Sequence, residues 1–354
     1  MHDSADRELP FLARGTVMPN RVTSSGFVYG IEGASLGNCL STMANLIAFS
    51  VRNDIPVIYP NLRDHAALFA LDPAHPHLFS RKPVVGFNAA GLAATTDFID
   101  QIADGYEGFM ARLQTIPPEW LPHYGDIAAA TVFLRYEMHF RDWAYYEAWF
   151  AQFASRGNGI VLPGAYWLQF QRPPVEAAED IRTFFRIRHE DSCVERASVL
   201  TKPQSALRIG LHIRRGDYKD YKNGEYYWDA TTYVHVMREI SQTLGQRPHI
   251  FIVCSHDHWE PDVFAGLPHC HEAGGYMDDF VALSRCDVVI GPPSTFANWA
   301  AFLGRGKRLI LTPAVLADRN TDLLSQAAEL AFPNGSGVPG DFWDLEHGRA
   351  NGCD

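Results

Sequence analysis

The chain has 354 residues, 47% hydrophobic and 20% charged, which suits two globular domains of ordinary size or one large one. A formal net charge of −11 argues against nucleic acid or an anionic membrane as a partner, because both repel an acidic surface. It leaves room for one local basic pocket that holds a phosphate.

Met1 to Arg14 is polar and charged with no apolar core of the signal-peptide kind, and no segment reaches the roughly 20 apolar residues of a membrane span. The six cysteines (Cys39, Cys193, Cys254, Cys270, Cys286, Cys353) are scattered without a CxxC pair, so reduced thiols are expected rather than a disulfide framework. These features predict a cytoplasmic protein without a transmembrane segment.

In chain order, Gly26 to Ile31 reads as a strand, followed by the glycine-containing loop Gly33 to Asn38. A helical pattern from about Leu40 to Arg52 and a strand at Ile55 to Tyr59 complete a β-α-β start. Residues Asn61 to Gln171, rich in proline turns and aromatics, carry no periodicity that assigns a topology. A helix is expected from Val175 to His189 behind Pro173-Pro174, and a linker from Asp191 to Gln204. Then apolar strands alternate with helices. The predicted series is strand Leu207–Ile213, helix Trp228–Leu244 closed by Gly245, strand His249–Ser255 and helix Tyr276–Cys286. It continues with strand Asp287–Gly291, helix Ser294–Leu303 closed by Gly304, and strand Lys307–Thr312. Such alternation implies a parallel sheet with helices on both faces, where ligands bind beyond the carboxyl ends of the strands.

Four loops at those ends carry chemistry. In His212-Ile213-Arg214-Arg215-Gly216-Asp217-Tyr218, two arginines leave a buried strand, a costly arrangement unless an anion or a carboxylate meets them. The guanidinium fork matches phosphate oxygens, and Asp217 is placed to lock one arginine, as it would in a purely structural ion pair. Ser294-Thr295-Phe296 opens a helix, which suits an ordinary N-cap and also a phosphate site. Asp278-Asp279 starts another helix, where acidic residues favour the dipole and where a carboxylate could accept both N1–H and N2–H of a guanine. Ser255-His256-Asp257-His258-Trp259 has histidines flanking an aspartate, yet there is no second ligand cluster and no Asp-x-Asp motif. No metal is expected; loop histidines in solvent or contacts to a ribose fit better, and His75-Pro76-His77 is read the same way.

Together these loops resemble the α-1,2-fucosyltransferase family (glycosyltransferase family 11-like) and, more distantly, the α-1,6- and protein O-fucosyltransferases. The family's His-x-Arg-Arg-x-Asp loop is met by His212, Arg214, Arg215 and Asp217. Its Phe-Ser-Asp-Asp-x-x-Trp block is similar to Val253 through Trp259, with His256 in place of the first aspartate. A third block is matched by Asp279, Cys286-Asp287 and Ser294-Thr295-Phe296-Ala297-Asn298-Trp299-Ala300-Ala301, with Pro292-Pro293 where Asn often precedes Ser-Thr. The family's Gly-Gly-Leu-Gly-Asn-Gln loop is similar to Gly33 through Asn38, Cys39 standing in the glutamine position. The resemblance covers about Leu207 to Thr312 and that N-terminal loop, with a short echo at Pro163 to Gln169.

The resemblance implies a GT-B-like α/β architecture of two Rossmann-like domains facing across a cleft. Residues 1–200 would form the acceptor side and 201–354 the GDP-sugar side. Carried over residue by residue, Arg214 or Arg215 would bind the pyrophosphate, and Ser294, Thr295 and Phe296 would wrap the β-phosphate. Asp279 would read the guanine, and Asp257 would lie near ribose or base. Gly37 and Asn38 would reach the donor from the other domain. The implied reaction is inverting, metal-independent transfer of L-fucose from GDP-β-L-fucose to a glycan or glycoconjugate hydroxyl, with no cofactor beyond the donor. Asp217, Glu32 and Glu225 are candidates for the base. Another GDP-sugar, or a catalytically inactive GDP-sugar-binding protein, stands as the alternative. A dinucleotide-dependent oxidoreductase is disfavoured because Gly33 to Asn38 lacks GxGxxG and Asp64 makes a poor ribose ligand. Trp120, Trp143, Trp149 and Trp167 are candidate sugar-stacking faces or core residues.

Overall fold

The computed structural model describes residues 27–31, 36–55, 57–71, 78–79, 81, 132–133, 159–163, 177–188, 206–255, 262–271, 275–318 and 322–330. In the N-terminal half, β1 (Phe27–Ile31), α1 (Leu36–Asn53) and β2 (Val57–Ile58) realise the expected β-α-β start. With β3 (Leu78–Phe79), β4 (Val132–Phe133) and β5 (Gly159–Pro163) the strands form a sheet of order β3-β2-β1-β5-β4. Every pair in it is parallel except β2 with β3.

Helix α1 begins at Leu36, four residues before the expected Leu40, and is buried on nearly every side from Leu36 to Ser50. Its polar residues tolerate this by bonding back along the helix. Ser41 Oγ donates to the Gly37 carbonyl at 2.9 Å and Asn45 Nδ2 to the Ser41 carbonyl at 2.7 Å.

The helix expected over Val175–His189 is shorter, α2 (Ala178–Phe184). The chain leaves it to pair with the segment before Leu71. The Ala70 amide donates to the Arg186 carbonyl at 2.7 Å and the Arg188 amide to the Leu68 carbonyl at 3.0 Å, with Phe69 facing Ile187 in an antiparallel bridge.

The C-terminal half follows the predicted alternation closely. It comprises β6 (Leu207–Ile213), α3 (Ala230–Leu244), β7 (His249–Ser255), β8 (His269–His271), α4 (Tyr276–Ser284) and β9 (Val288–Gly291). These are followed by α5 (Thr295–Gly304), β10 (Lys307–Ile310), α6 (Pro313–Ala317) and β11 (Ala328–Glu329). The sheet order is β11-β10-β9-β6-β7-β8, parallel but for β10 with β11. The short strands β8 and β11 are additions to the predicted set.

Capping explains the helix limits. Asp229 accepts from the Thr232 amide at 2.9 Å to start α3, and the Thr231 hydroxyl is the main cause that holds its carboxyl below the usual range. Gly245, at φ +55°, ends it. Helix α5 differs from expectation: the left-handed residue is Arg305 (φ +60°), not Gly304. Gly304 serves packing instead, since a Cβ there would stand 1.7 Å from the Ser284 carbonyl oxygen.

Two apolar cores lie on the second sheet. One, with Leu211, Tyr233, Met237 and Phe251, sits beneath α3. The other is shared between the halves, joining α4 and α5 to Cys39, Met43 and Ile47 of α1 and to Ile181 and Phe185. Within it the Trp299 indole donates to Ser41 Oγ at 2.9 Å. Arg182 donates to the Phe302 carbonyl at 3.1 Å and lies 4.1 Å over the Phe302 ring, while Glu179 pairs with Arg182 and Arg305, each at 2.7 Å. The Trp299–Ser41 bond joins α1 to α5, and the Arg182 and Glu179 contacts join α2 to the C-terminal end of α5. The boundary expected at residue 200 lies outside the described residues.

Cys39, Cys254 and Cys286 are buried thiols, and burial pushes the Cys286 thiol well above its ordinary value. Cys193 and Cys353 lie outside the described residues. Among the described residues no helix is long and apolar enough to cross a membrane.

Candidate functional site

In the second sheet the connections run outward in opposite directions from β6 and β9, which are neighbours. That pair is the topological switch point, and the crevice beyond its carboxyl ends is where open α/β sheets bind ligands. Two of the four loops singled out from the sequence leave these two strands, and the structure ties them together. Gly291 ends β9 so close to β6 that a Cβ on it would stand 2.3 Å from the His212 carbonyl oxygen. Tyr218, from the loop after β6, donates its hydroxyl to the Pro293 carbonyl after β9. The buried His212 ring stacks on Phe296 at 5.5 Å, and Phe296 meets Phe280 edge-on at 5.2 Å.

The two arginines have different anchors. Arg214 Nη2 pairs with the Asp217 carboxylate at 2.9 Å, a contact in which the Asp217 side chain is 65% exposed. Arg215 donates from Nε and Nη2 to the Tyr227 hydroxyl at 3.2 and 2.6 Å, its guanidinium 4.8 Å from the ring centre. The hydroxyl fixes the direction of the fork. The sequence reading gave Tyr218 and Tyr227 no role; their signal was proximity to the arginine pair.

The turn Gly291-Pro292-Pro293-Ser294 leads into α5. Ser294 occupies the N-cap position and is buried, yet its side chain makes no capping hydrogen bond. Beneath the turn lies Arg308 of β10, 3% exposed. It donates to the Gly291 carbonyl at 3.2 Å, the Pro292 carbonyl at 2.6 Å, the Val289 carbonyl at 3.2 Å, the Leu309 carbonyl and Asn298 Oδ1 at 3.0 Å. Burial pushes its pKa down to about 9, which still leaves it charged at neutral pH. The sequence reading missed this residue; a lone arginine inside the apolar strand Lys307–Ile310 was the available signal.

The N-terminal half contributes Gly37 and Asn38. A Cβ on Gly37 would stand 2.4 Å from Thr295 Oγ1 and 2.8 Å from the Phe296 amide nitrogen, so glycine permits the first turns of α1 and α5 to touch. Thr295 Oγ1 donates to Asn38 Oδ1 at 3.3 Å. Two helix N-termini, each carrying roughly half a positive charge, therefore meet beside the arginine loop. Such a place suits a multiply charged anion.

Asp279 is buried at the start of α4, and its carbonyl receives the Cys254 thiol at 3.8 Å, next to the end of β7. Its neighbour Asp278 accepts from the Gly275 amide at 3.0 Å and caps its own helix. His65 of the N-terminal half meets the Tyr276 hydroxyl there at 3.1 Å. Of the predicted site residues, His212, Phe296, Thr295, Gly37 and Asn38 are joined by direct contacts; Arg214, Arg215 and Asp217 lie on the loop that Tyr218 ties to the turn before Ser294, and Asp279 sits one strand further on. Asp257, with His256, His258 and Trp259, lies outside the described residues, as do Glu32, His75, His77, Trp120, Trp143, Trp149 and Trp167. Glu225 is exposed. Among the described residues no cluster of three or more His, Cys, Asp or Glu is placed to hold a metal ion.

A family model described as Glycosyl transferase family 11 matches residues 128–331, more than half of the chain. The chain belongs to glycosyl transferase family 11. The match contains the arginine loop, the proline turn, α5 and Arg308; Gly37 and Asn38 precede it. Among similar proteins are the galactoside alpha-(1,2)-fucosyltransferase 2 of Mus musculus, 22% identical over 213 residues, and that of Bos taurus, 24% identical over 208 residues. Each alignment covers 52% of this chain and 58% of the relative, so the chain spans little more than half the length of these relatives. Among solved structures, Arabidopsis thaliana FUT1 in complex with GDP aligns at 14% identity and TM-score 0.48, covering 87% of this chain and 75% of that one. Fucosyltransferase NodZ from Bradyrhizobium aligns at 16% identity and TM-score 0.45, covering 82% and 96%.

Proposed function

We propose that this chain is a glycosyltransferase that moves L-fucose from GDP-β-L-fucose to a glycan hydroxyl, with inversion and without a metal ion. The observation that carries the reading is the meeting of the α1 and α5 N-termini at the β6–β9 switch point, beside Arg214 and Arg215, in a family 11 chain. The names of the similar proteins, galactoside α-(1,2)-fucosyltransferases, support fucose as the sugar.

In this reading residues 201–354 hold most of the donor. Arg215 and Arg214 face the pyrophosphate, while the first amides of α5 and the Ser294 and Thr295 hydroxyls receive the β-phosphate. Asp279, with Asp257, serves the guanosine end. Asn38 approaches from α1, and the acceptor enters from the N-terminal side. Breaking the sugar–phosphate bond passes through an oxocarbenium-like transition state, and negative charge grows on the departing GDP. Fixed cations and helix dipoles aimed at that oxygen stabilise the transition state more than the ground state. They supply the charge that a divalent ion supplies elsewhere.

Calorimetric titration of GDP, with ADP and UDP as controls, in EDTA tests the site, and release of GDP from GDP-fucose over a glycan array tests the transfer. GDP-selective binding and transfer, both indifferent to EDTA, are expected. Activity abolished by EDTA and restored by manganese would overturn metal independence, and GDP binding without transfer to any glycan would make the chain a binding protein.

Asp217 is an exposed residue committed to Arg214. Asp217→Asn is therefore expected to retain kcat within about tenfold, because an exposed ion pair contributes little. A loss of roughly 10²- to 10⁴-fold, with the acidic limb of the pH–rate profile lost or displaced, would instead identify it as the general base.

A further inference from the structure

Between the crevice and the core, the turn Gly291-Pro292-Pro293 presents an unusual set of polar groups. Pro292 and Pro293 have no N–H, so within these three residues carbonyl oxygens dominate, and a carbonyl facing the crevice would repel an anion. All three carbonyls are engaged elsewhere. Gly291 accepts from the Leu311 amide at 2.8 Å and from Arg308 at 3.2 Å, Pro292 accepts from Arg308 at 2.6 Å, and Pro293 accepts from the Tyr218 hydroxyl. Arg308 makes five hydrogen bonds to neutral acceptors, and no carboxylate among the described residues lies within ion-pairing distance of it. A buried guanidinium without a counter-ion is a costly choice for holding a turn, which an apolar residue could pack more cheaply. Its Asn298 contact places the charge under the first turn of α5, where it adds to the positive potential of the helix N-terminus.

We propose that Arg308 and Tyr218 are positioning residues for the donor's diphosphate: they turn the three carbonyls of the proline turn away from the crevice, and Arg308 sets a buried positive charge behind the β-phosphate position. The inference rests on the proposed donor site and deepens it. Arg308 touches no donor atom; it acts through the turn and through its charge. Tyr218 is the more accessible lever, because it is half-buried on a surface loop and loses one hydroxyl when changed to phenylalanine.

The test compares GDP with GMP, which lacks the β-phosphate, in calorimetric titrations of wild type, Tyr218→Phe and Arg308→Lys, together with melting temperatures of the ligand-free proteins. The proposal expects the GDP-over-GMP preference to fall roughly threefold to tenfold in Tyr218→Phe, the size of one hydrogen bond. Melting should change little. Arg308→Lys keeps the charge but cannot fork across the carbonyls, so it should lose preference as well. An unchanged preference in Tyr218→Phe overturns the proposal, as does an equal loss of GDP and GMP, which marks a general structural role. If Arg308→Lys does not fold, Tyr218→Phe decides alone. Wild-type protein with no preference for GDP over GMP would overturn the donor site itself, before the variants are compared.

Discussion

Arg215→Ala is expected to lower transfer from GDP-fucose by roughly 10²- to 10³-fold, the range seen when one preorganised donor to a developing anion is removed. Of the two adjacent arginines, Arg215 is the better placed. Arg214 already has the Asp217 carboxylate at 2.9 Å, whereas Arg215 is aimed by the Tyr227 hydroxyl at 2.6 Å and by the ring beneath it. A hydroxyl and an aromatic face fix the direction of the planar fork. The loss should fall mainly on kcat, because charge on GDP is greatest as the bond breaks, with a smaller loss of GDP affinity. Arg215→Lys should recover only part of the rate, since an ammonium lacks the planar fork. Initial rates at saturating and limiting GDP-fucose separate the two parameters. A variant with wild-type kcat would remove Arg215 from the transition state and pass the role to Arg214.

How far the sequence disclosed this site depended on the range of the interactions. Leu207–Ile213 and His249–Ser255 were legible to the residue, because each is an apolar run bounded by polar or turn residues. Strand β8 was not, since His269-Cys270-His271 is too short to show a pattern and is recognised by its pairing with β7. The arginine loop and the start of α5 were readable as an anion site from local chemistry. Their convergence on one crevice was readable from the strand–helix alternation, but the contacts that make the union were not. That union depends on Gly291 against His212 and on Tyr218 against Pro293, contacts 79 and 75 positions apart, and on Asn38 against Thr295, 257 positions apart. Arg308 escaped notice for a related reason: an arginine in a strand reads as an edge or surface residue until the fold shows what it is buried under.

The same geometry makes Gly37→Ala the second change with a large expected effect, and its sign is opposite to the usual one. Inside a helix, alanine in place of glycine ordinarily stabilises by about 0.5–1 kcal/mol. Here the added Cβ would stand 2.4 Å from Thr295 Oγ1, 2.9 Å from Thr295 Cβ and 2.8 Å from the Phe296 amide nitrogen. The hydroxyl could rotate away, but the amide belongs to the backbone of α5, so relief requires the helices to separate. Overpacking of this kind costs about 1–3 kcal/mol and outweighs the helix gain. Each net kcal/mol should lower the melting temperature by about 1–2 °C, because the unfolding entropy grows with chain length. Separation would also break the Asn38–Thr295 contact and draw one positive helix end away from the other, so GDP affinity should fall along with stability. The double variant Gly37→Ala with Thr295→Ala should recover only part of the stability, because the backbone clash persists. If Gly37→Ala melts at or above the wild-type temperature and binds GDP as tightly, α1 and α5 do not meet in solution, and the donor site would belong to the C-terminal half alone.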